Sequence, residues 1–209
     1  MSAPAGSARL WLIRHALVAE NARAVLYGTM DVALCPHGLV AHRHIYEVLA
    51  ATLPRPARWF CTPLSRTRRT AEAIFAAGYP AAALAEEPAL IEQALGDWQG
   101  LPHHLLPPLL AEPAHAFWPL AGSERPPGGE SMADVIARVG PALEAIAAGG
   151  GDNVIVSHGG AIRAAVAHAL RIGPDQALHF SVGNLSLTRL DREPAGWRVV
   201  CVNDEIAAG

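Results

Sequence analysis

Short apolar runs alternate with amphipathic stretches along most of the chain, which is the pattern of strands alternating with helices. Apolar runs typical of strands lie at residues 9–13, 57–61, 81–86 and 153–156. Stretches with apolar residues at helical spacing lie at residues 36–53, 64–77, 131–148 and 161–170. Two alternating runs near the end of the chain, at residues 185–190 and 197–202, predict an antiparallel pair at a sheet edge.

This order of elements predicts an α/β fold: a three-layer sandwich with a mostly parallel central sheet flanked by helices. We expect residues 1–209 to form one domain. Residues 101–129 are rich in proline and predict an irregular excursion with at most a short helix. Long loops of this kind often serve as lids. Phe117 and Trp118 within it either contact a substrate or close a small core under the lid.

Composition limits the classes of partner. The formal net charge of −3 excludes a basic nucleic-acid arm or a polybasic membrane patch as the main device. No apolar stretch approaches the ~18 residues that span a bilayer, and residues 1–8 lack the features of a signal peptide. The three cysteines have neither metal-ligand nor disulfide-framework spacing. We therefore expect a cytoplasmic protein with no nucleic-acid or membrane partner.

Polar residues follow three of the predicted strands at the edge of the sheet where ligands bind. Arg14 and His15 follow the first strand, and His158 follows the strand at 153–156 and begins a helix. Arg66 lies in the first turn of the helix after the strand at 57–61. A helix N-terminus favours an anion, arginines match phosphate oxygens, and an imidazole can attack phosphorus. Together these residues predict a site for a tetrahedral dianion.

Other interpretations of single residues remain open. A histidine at a strand end can be a hydrogen-bonded structural residue, and an arginine in a first helical turn can be solvated. The cluster of Arg66, Arg68 and Arg69 favours a solvated helix face with one inward arginine over nucleic-acid binding. Nothing else in the chain supports Glu92 and Asp97 as a glycosidase pair. No Walker loop or GxGxxG sequence occurs. The histidines whose spacing fits no metal motif are His37, His42, His44, His103 and His104.

A series of ordered motifs resembles those of the histidine phosphatase superfamily, also called the phosphoglycerate mutase-like family. They run through nearly the whole chain. In chain order they are LIRHA at 12–16 with Asn21, GTMDVAL at 28–34 with Gly38, TPLSRTRRT at 62–70, LIEQALGDWQG at 90–100, GGES at 128–131 and VSHGG at 156–160.

The resemblance implies phosphoryl transfer without a metal or other cofactor. His15 would be the nucleophile that takes the phosphoryl group, and Glu92 would protonate the leaving oxygen. The residues implied to bind the phosphate oxygens are Arg14, Arg66 and His158. The residues implied to contact the substrate are Asn21, Gly28, Thr29 and Gly159.

Two positions depart from the family pattern of Arg-His-Gly-Glu-Thr. Ala16 stands where the family has a glycine, and Val18 stands where it has a hydroxyl residue that often touches phosphate. The resemblance therefore implies one donor fewer in the phosphate pocket, which bears on substrate and rate.

The expected function is that of a metal-independent phosphomonoesterase that hydrolyses a small phosphorylated metabolite through a phosphohistidine. RLWLIRH at 9–15, Gly96–Trp98 and His179–Phe180 also look like α-ribazole phosphatases, which would make α-ribazole 5′-phosphate a candidate substrate. The alternatives are phosphoryl transfer of the phosphoglycerate mutase type and a catalytically idle phosphate-binding module. The oligomeric state, including a homodimer, is left open.

Overall fold

The computed structural model describes residues 7–205; residues 1–6, part of the stretch that lacks signal-peptide features, and 206–209 lie outside the described residues. The strands are β1 (Ala8–Arg14), β2 (Arg58–Cys61), β3 (Leu84–Glu86), β4 (Gly151–Ser157), β5 (Leu187–Glu193) and β6 (Gly196–Asp204). The helices are α1 (Glu20–Arg23), α2 (Pro36–Ala41), α3 (Arg43–Thr52), α4 (Ser65–Ala76), α5 (Met132–Ala148), α6 (Gly159–Leu170) and α7 (Pro174–Ala177).

The strands form one sheet in the order β3-β2-β4-β1-β5-β6. The first four in this order are parallel, whereas β5 runs antiparallel to β1 and β6 antiparallel to β5. The predicted α/β fold with a mostly parallel sheet and an antiparallel pair at one edge is confirmed. The parallel arrangement places the carboxyl ends of β1, β2 and β4 at the same edge.

Side chains of the central strands alternate between two apolar layers. Leu12 and Ile155 face a cluster that includes residues of α5 and α6. Ile13 and Val156, one position further along each strand, belong to a second cluster that includes residues of α3 and α4. Successive side chains of a strand point to opposite faces, so β1 and β4 are buried on both sides. This burial explains their continuous apolar sequences.

The helix predicted at residues 36–53 is wrong as a single element. The chain forms α2 and then α3, with a break at His42, whose φ of −95° and ψ of 17° lie outside the helical range. Val40, predicted on the apolar face, is 76% exposed. The break shifts the phase of the second helix, so that α3 buries Tyr46 and Leu49 while α2 buries only Gly38.

Smaller differences concern the ends of elements and short segments. The strand predicted at 185–190 begins at Leu187, because Leu185 has a left-handed φ of +61°. Helices α1 and α7 were not predicted, since four residues are too few to show a helical period. Residues 101–129 contain two 3₁₀ turns, at His103–Leu105 and Pro107–Leu109. Among residues 7–205, no helix is long and apolar enough to cross a membrane.

Candidate active site

The ends of β1 and β4 bring the two predicted site histidines together. The backbone N–H of His15 donates to the carbonyl of Ser157 over 2.9 Å, continuing the pairing of the two strands. The rings of His15 and His158 then meet edge to face, with centroids 5.2 Å apart. His158 directly precedes α6, so both imidazoles lie beside the N-terminus of that helix.

One nitrogen of His15 is fixed and the other has no partner. Nδ1 lies 2.8 Å from the carbonyl oxygen of Ala16. Because a carbonyl can only accept, Nδ1 carries the proton and the lone pair of the neutral ring lies on Nε2. Nε2 is buried and has no hydrogen-bond partner among the described residues. Buried polar atoms are normally satisfied, so this lone pair is consistent with a nucleophile.

His158 is held at both of its ring nitrogens. Nε2 lies 2.9 Å from the hydroxyl of Thr62, and Nε of Arg66 donates to Nδ1 over 3.3 Å. Nδ1 is therefore the acceptor, and Nε2–H donates to Thr62. Thr62 follows β2 directly, and its hydroxyl also lies 3.1 Å from that of Thr67 on α4. The ring of His158 is thus oriented by the strand end on one side and by α4 on the other.

The site favours neutral histidines. Burial holds the pKa of His15 well below its usual range, and the charges of Arg66 and Arg14 add to the effect. Burial likewise holds the pKa of His158 well below its usual range, with further contributions from His15 and the nearby arginines. A neutral His15 keeps its lone pair available, and the surrounding positive charge favours the binding of an anion.

Arg66 is completely buried and is held by the loop that precedes α2. Its Nη1 donates to the carbonyl of Met30 over 2.6 Å, and its Nη2 donates to the carbonyl of Gly28 over 2.8 Å. Gly28 has a φ of +38°, and an added Cβ would lie 2.9 Å from the backbone carbonyl of Gln93. Burial lowers the pKa of Arg66. Three of its five N–H groups are thereby used, which fixes the guanidinium and leaves two for a ligand.

Glu92 reaches the same region at the first turn of α6. Its Oε1 accepts the backbone N–H of Gly160, at 3.0 Å, and that of Gln93, at 2.9 Å. Its own backbone carbonyl accepts from Arg138 of α5 over 3.0 Å, and Arg138 also binds Glu130 over 2.7 Å. The carboxylate therefore lies at the first turn of α6, in a segment clamped to α5.

The remaining predicted contact residues lie in different surroundings. Gly159 is buried in the first turn of α6. Thr29 donates its backbone N–H and hydroxyl to Oε1 of Gln99, at 2.8 and 2.6 Å. Asn21 is exposed on α1, and its Oδ1 accepts the N–H of Ala22 over 3.0 Å. Gly159 thus borders the histidines directly, whereas the side chains of Thr29 and Asn21 are engaged with neighbours outside the histidine and arginine group.

Ala16 and Val18, the two residues that depart from the family pattern, are both buried. Ala16 is buried, and its backbone N–H donates to the hydroxyl of Thr70 over 3.0 Å. Val18 is buried in the cluster that includes α3 and α4, where it forms an isolated β-bridge with Leu34. Val18 therefore contributes to the core at a position that the family pattern associates with phosphate.

A cavity of about 250 Å³ adjoins the site. Arg14, Gly28 and Glu92 line it on the side of the site, and Tyr27, Leu95 and Trp118 are among its apolar lining residues. Trp118 also packs against the core, as one of its two interpretations predicted, and its contact with a substrate stays a prediction. Phe117 is 66% exposed and meets the rings of His115 and His179 edge to face.

Two residues at the site were not singled out from the sequence. Thr62 orients His158, and its place directly after β2 would have indicated it by the same rule that indicated Arg14 and His15. Arg163 lies buried one turn beyond Gly159, on the helix whose N-terminus borders the site. The signal for Arg163 was a basic residue four positions after the first residue of that helix. Within residues 7–205, no group of three or more His, Cys, Asp or Glu side chains is placed to hold a metal ion.

Comparison with known proteins assigns the family. The profile of the histidine phosphatase superfamily (branch 1) matches residues 10–205. The chain belongs to the histidine phosphatase superfamily. The chain is 31% identical over 206 residues to glucosyl-3-phosphoglycerate phosphatase of Mycolicibacterium vanbaalenii, covering 90% of this chain and 89% of that protein. It is 29% identical over 177 residues to a 2,3-bisphosphoglycerate-dependent phosphoglycerate mutase of Cytophaga hutchinsonii, covering 81% of each.

Solved structures are similar over nearly the whole chain. The native mycobacterial glucosyl-3-phosphoglycerate phosphatase superposes with a TM-score of 0.78 at 27% identity, covering 95% of this chain and all of that one. An Escherichia coli protein provisionally named an α-ribazole-5′-P phosphatase superposes with a TM-score of 0.75 at 20% identity, covering 96% and 98%. The second likeness shows a common fold. Phosphatases and mutases thus both occur among the relatives.

Proposed function

We propose that the protein is a metal-independent phosphomonoesterase that hydrolyses a small phosphorylated metabolite through a phosphohistidine at His15. The observation that carries the proposal is Nε2 of His15, a buried nitrogen lone pair without a hydrogen-bond partner among residues 7–205, beside the cations of Arg14 and Arg66. An imidazole nitrogen in such a site can attack phosphorus, and fixed cations stabilise the charge on the transferring group.

In the first step Nε2 of His15 forms a bond to phosphorus while the bond from phosphorus to the ester oxygen breaks. Glu92 gives its proton to the leaving alkoxide. In the second step water attacks phosphorus, the bond from phosphorus to His15 breaks, and Glu92 takes up the proton of the water. Phosphate leaves, and His15 and Glu92 return to their starting states.

Arg14, Arg66 and His158 hold the phosphoryl oxygens in this mechanism. Arg66 has two unused N–H groups, and each charge-assisted bond contributes about 1.5–3 kcal/mol. His158 accepts from Arg66 when no ligand is bound. A bound dianion favours a proton on Nδ1 of His158, so that Arg66 and His158 each donate to a phosphoryl oxygen.

The test is a screen of phosphomonoesters with and without a chelator. The panel includes α-ribazole 5′-phosphate, phosphoglycerates, glucosyl-3-phosphoglycerate and nitrophenyl phosphate. We expect release of inorganic phosphate from at least one ester and no loss of activity on dialysis against the chelator. Arg66→Ala and His158→Ala should each lower kcat/KM roughly 100-fold or more. Absence of phosphate release from every ester, or loss of activity on dialysis that added metal restores, would contradict the proposal.

The mutase relative favours a second candidate, transfer of the phosphoryl group to another metabolite hydroxyl. A mutase would interconvert 3-phosphoglycerate and 2-phosphoglycerate with little release of inorganic phosphate. The same reaction mixtures, analysed for both isomers and for phosphate, distinguish the two activities.

A further inference from the structure

Arg163 is a buried cation with an unused donor next to the site. Its side chain is 93% buried, since the residue is only 7% exposed, and its Nε donates to the carbonyl of Phe180 over 2.8 Å. Its Nη1 has no hydrogen-bond partner among the described residues and no access to solvent. Leaving a buried charged donor unsatisfied is costly, so we expect it to find a partner when the site is occupied.

A second unused donor faces the same space. Arg14 donates Nη1 to the carbonyl of Val182 over 2.6 Å, while its Nε is buried and has no partner within residues 7–205. A Cβ added to Gly159 would lie 3.2 Å from Nη1 of Arg163 and 3.5 Å from Nε of Arg14. The two free N–H groups therefore border one point beside Gly159, and the missing side chain of that glycine keeps it open.

This space lies on the side of the site where the leaving group is expected. Burial lowers the pKa of Arg163 to about 10, and the charges that also act on it are those of Glu92 and Arg14. The charges that act on His15 are those of Arg66 and Arg14. Oε1 of Glu92, the proposed acid for the leaving group, accepts the backbone N–H of Gly160 over 3.0 Å and therefore lies next to Gly159.

The indole ring of Trp118 lies against the guanidinium of Arg163. The guanidinium of Arg163 lies 4.3 Å from the centroid of the indole ring, within cation–π distance. Trp118, Arg14 and Glu92 all line the cavity next to the site. Nη1 of Arg163 and Nε2 of His15 are equally inaccessible to solvent. The indole ring therefore packs against the guanidinium of Arg163 at the edge of the cavity.

We propose that Nη1 of Arg163 and Nε of Arg14 form a second anion subsite, which binds a carboxylate carried by the leaving group of the substrate. The proposal rests on the proposed phosphatase function and makes it more specific. A carboxylate has two oxygens, so each can accept from one guanidinium. Arg14 keeps Nη2 for the phosphoryl group and thereby sets the distance between the two anionic groups of the substrate.

The test compares two esters that differ in one group. 3-Phosphoglycerate carries a carboxylate where sn-glycerol 3-phosphate carries a hydroxymethyl group. We expect the wild type to prefer 3-phosphoglycerate in kcat/KM and Arg163→Met to lower that preference roughly tenfold or more. Arg163→Lys should retain part of the preference because it keeps the charge. Arg198→Met is the matched control, since Arg198 is an exposed residue of β6 and its loss changes the net charge equally.

Two results would overturn the subsite. One is a wild type without preference for the carboxylate ester, and the other is an equal loss on both esters in a folded Arg163→Met protein. If Arg163→Met does not fold, the ratio of kcat/KM for the two esters is measured on Arg163→Lys instead. If the wild type hydrolyses neither ester, calorimetric binding of both to His15→Ala protein, with and without Arg163→Lys, decides the matter. If the phosphatase proposal fails, the difference in affinity between the two esters still tests the subsite. Equal affinities for the two esters would overturn it.

Discussion

Burial lowers the pKa of each of the two site histidines. In the native protein, burial and nearby positive charge hold the pKa of His15 and that of His158 well below the usual 6.5. In the unfolded chain both regain ordinary values. Below pH 6.5 the unfolded state therefore binds protons that the native state does not, and the native state loses stability as the pH falls.

His15→Gln should weaken this pH dependence. Between pH 7.5 and 5.5 the free energy of unfolding of the wild type falls more steeply than that of the variant. One histidine contributes about 1.4 kcal/mol per pH unit below its unfolded pKa. Urea unfolding at several pH values measures the difference. An equal pH dependence of the free energy of unfolding in the two proteins would mean that His15 binds its proton as readily in the native state as in the unfolded state.

Glu92→Gln should affect esters according to their leaving groups. The amide keeps an oxygen to accept from Gly160 and Gln93 but has no proton to give. An alkoxide needs that proton, whereas a nitrophenolate departs without much help. We expect kcat/KM to fall far more for an alkyl phosphate than for nitrophenyl phosphate. Equal losses on both would remove Glu92 as the acid, and Asp97 would be tested next.

At the scale of elements, the site depends on how α6 meets the segment that carries Glu92. A Cβ added to Gly160 would lie 2.3 Å from Oε1 of Glu92. The carboxylate is the far end of a flexible side chain, so it can move aside while the helix is preserved. Alanine is also the better helix former.

Gly160→Ala should therefore lower activity on alkyl esters while leaving the Tm unchanged or slightly higher. Misplacement of a catalytic group by on the order of 1 Å can cost about 100-fold in rate. Gly38→Ala is the control, because a Cβ there meets Cys35 at an ordinary 3.4 Å, in α2. Kinetics and thermal unfolding of both variants give the comparison. Full activity of Gly160→Ala would show that the position of Glu92 is unimportant.

The elements also show what a sequence can and cannot predict here. Arg14, His15, Arg66 and His158 could be brought together in advance because parallel strands end at a common edge. The break at His42 could not be predicted, since apolar residues at helical spacing continue across it. The engagement of both nitrogens of His158 depends on side-chain packing across distant segments, which spacing along one element does not record.

At the scale of the whole molecule, the fold concentrates positive charge that the composition does not suggest. The chain has a formal net charge of −3, yet the guanidinium groups of Arg14, Arg66 and Arg163 all lie near the N-terminus of α6. Backbone carbonyls of four loop residues, Gly28, Met30, Phe180 and Val182, hold them in place. In the described part of the chain the charge of Glu92 acts on both Arg66 and Arg163, and that of Asp31 acts on Arg66. An anionic ligand would add further negative charge beside these arginines.

Detection of a phosphorylated residue tests the central claim most directly. Wild-type protein is mixed with the ³²P-labelled ester that it hydrolyses fastest, quenched during turnover and digested for mass spectrometry. The mechanism predicts an acid-labile, base-stable label on His15, which is absent from His15→Ala protein of the same fold. A label on another residue, or phosphate release by His15→Ala at a rate near that of the wild type, would contradict it.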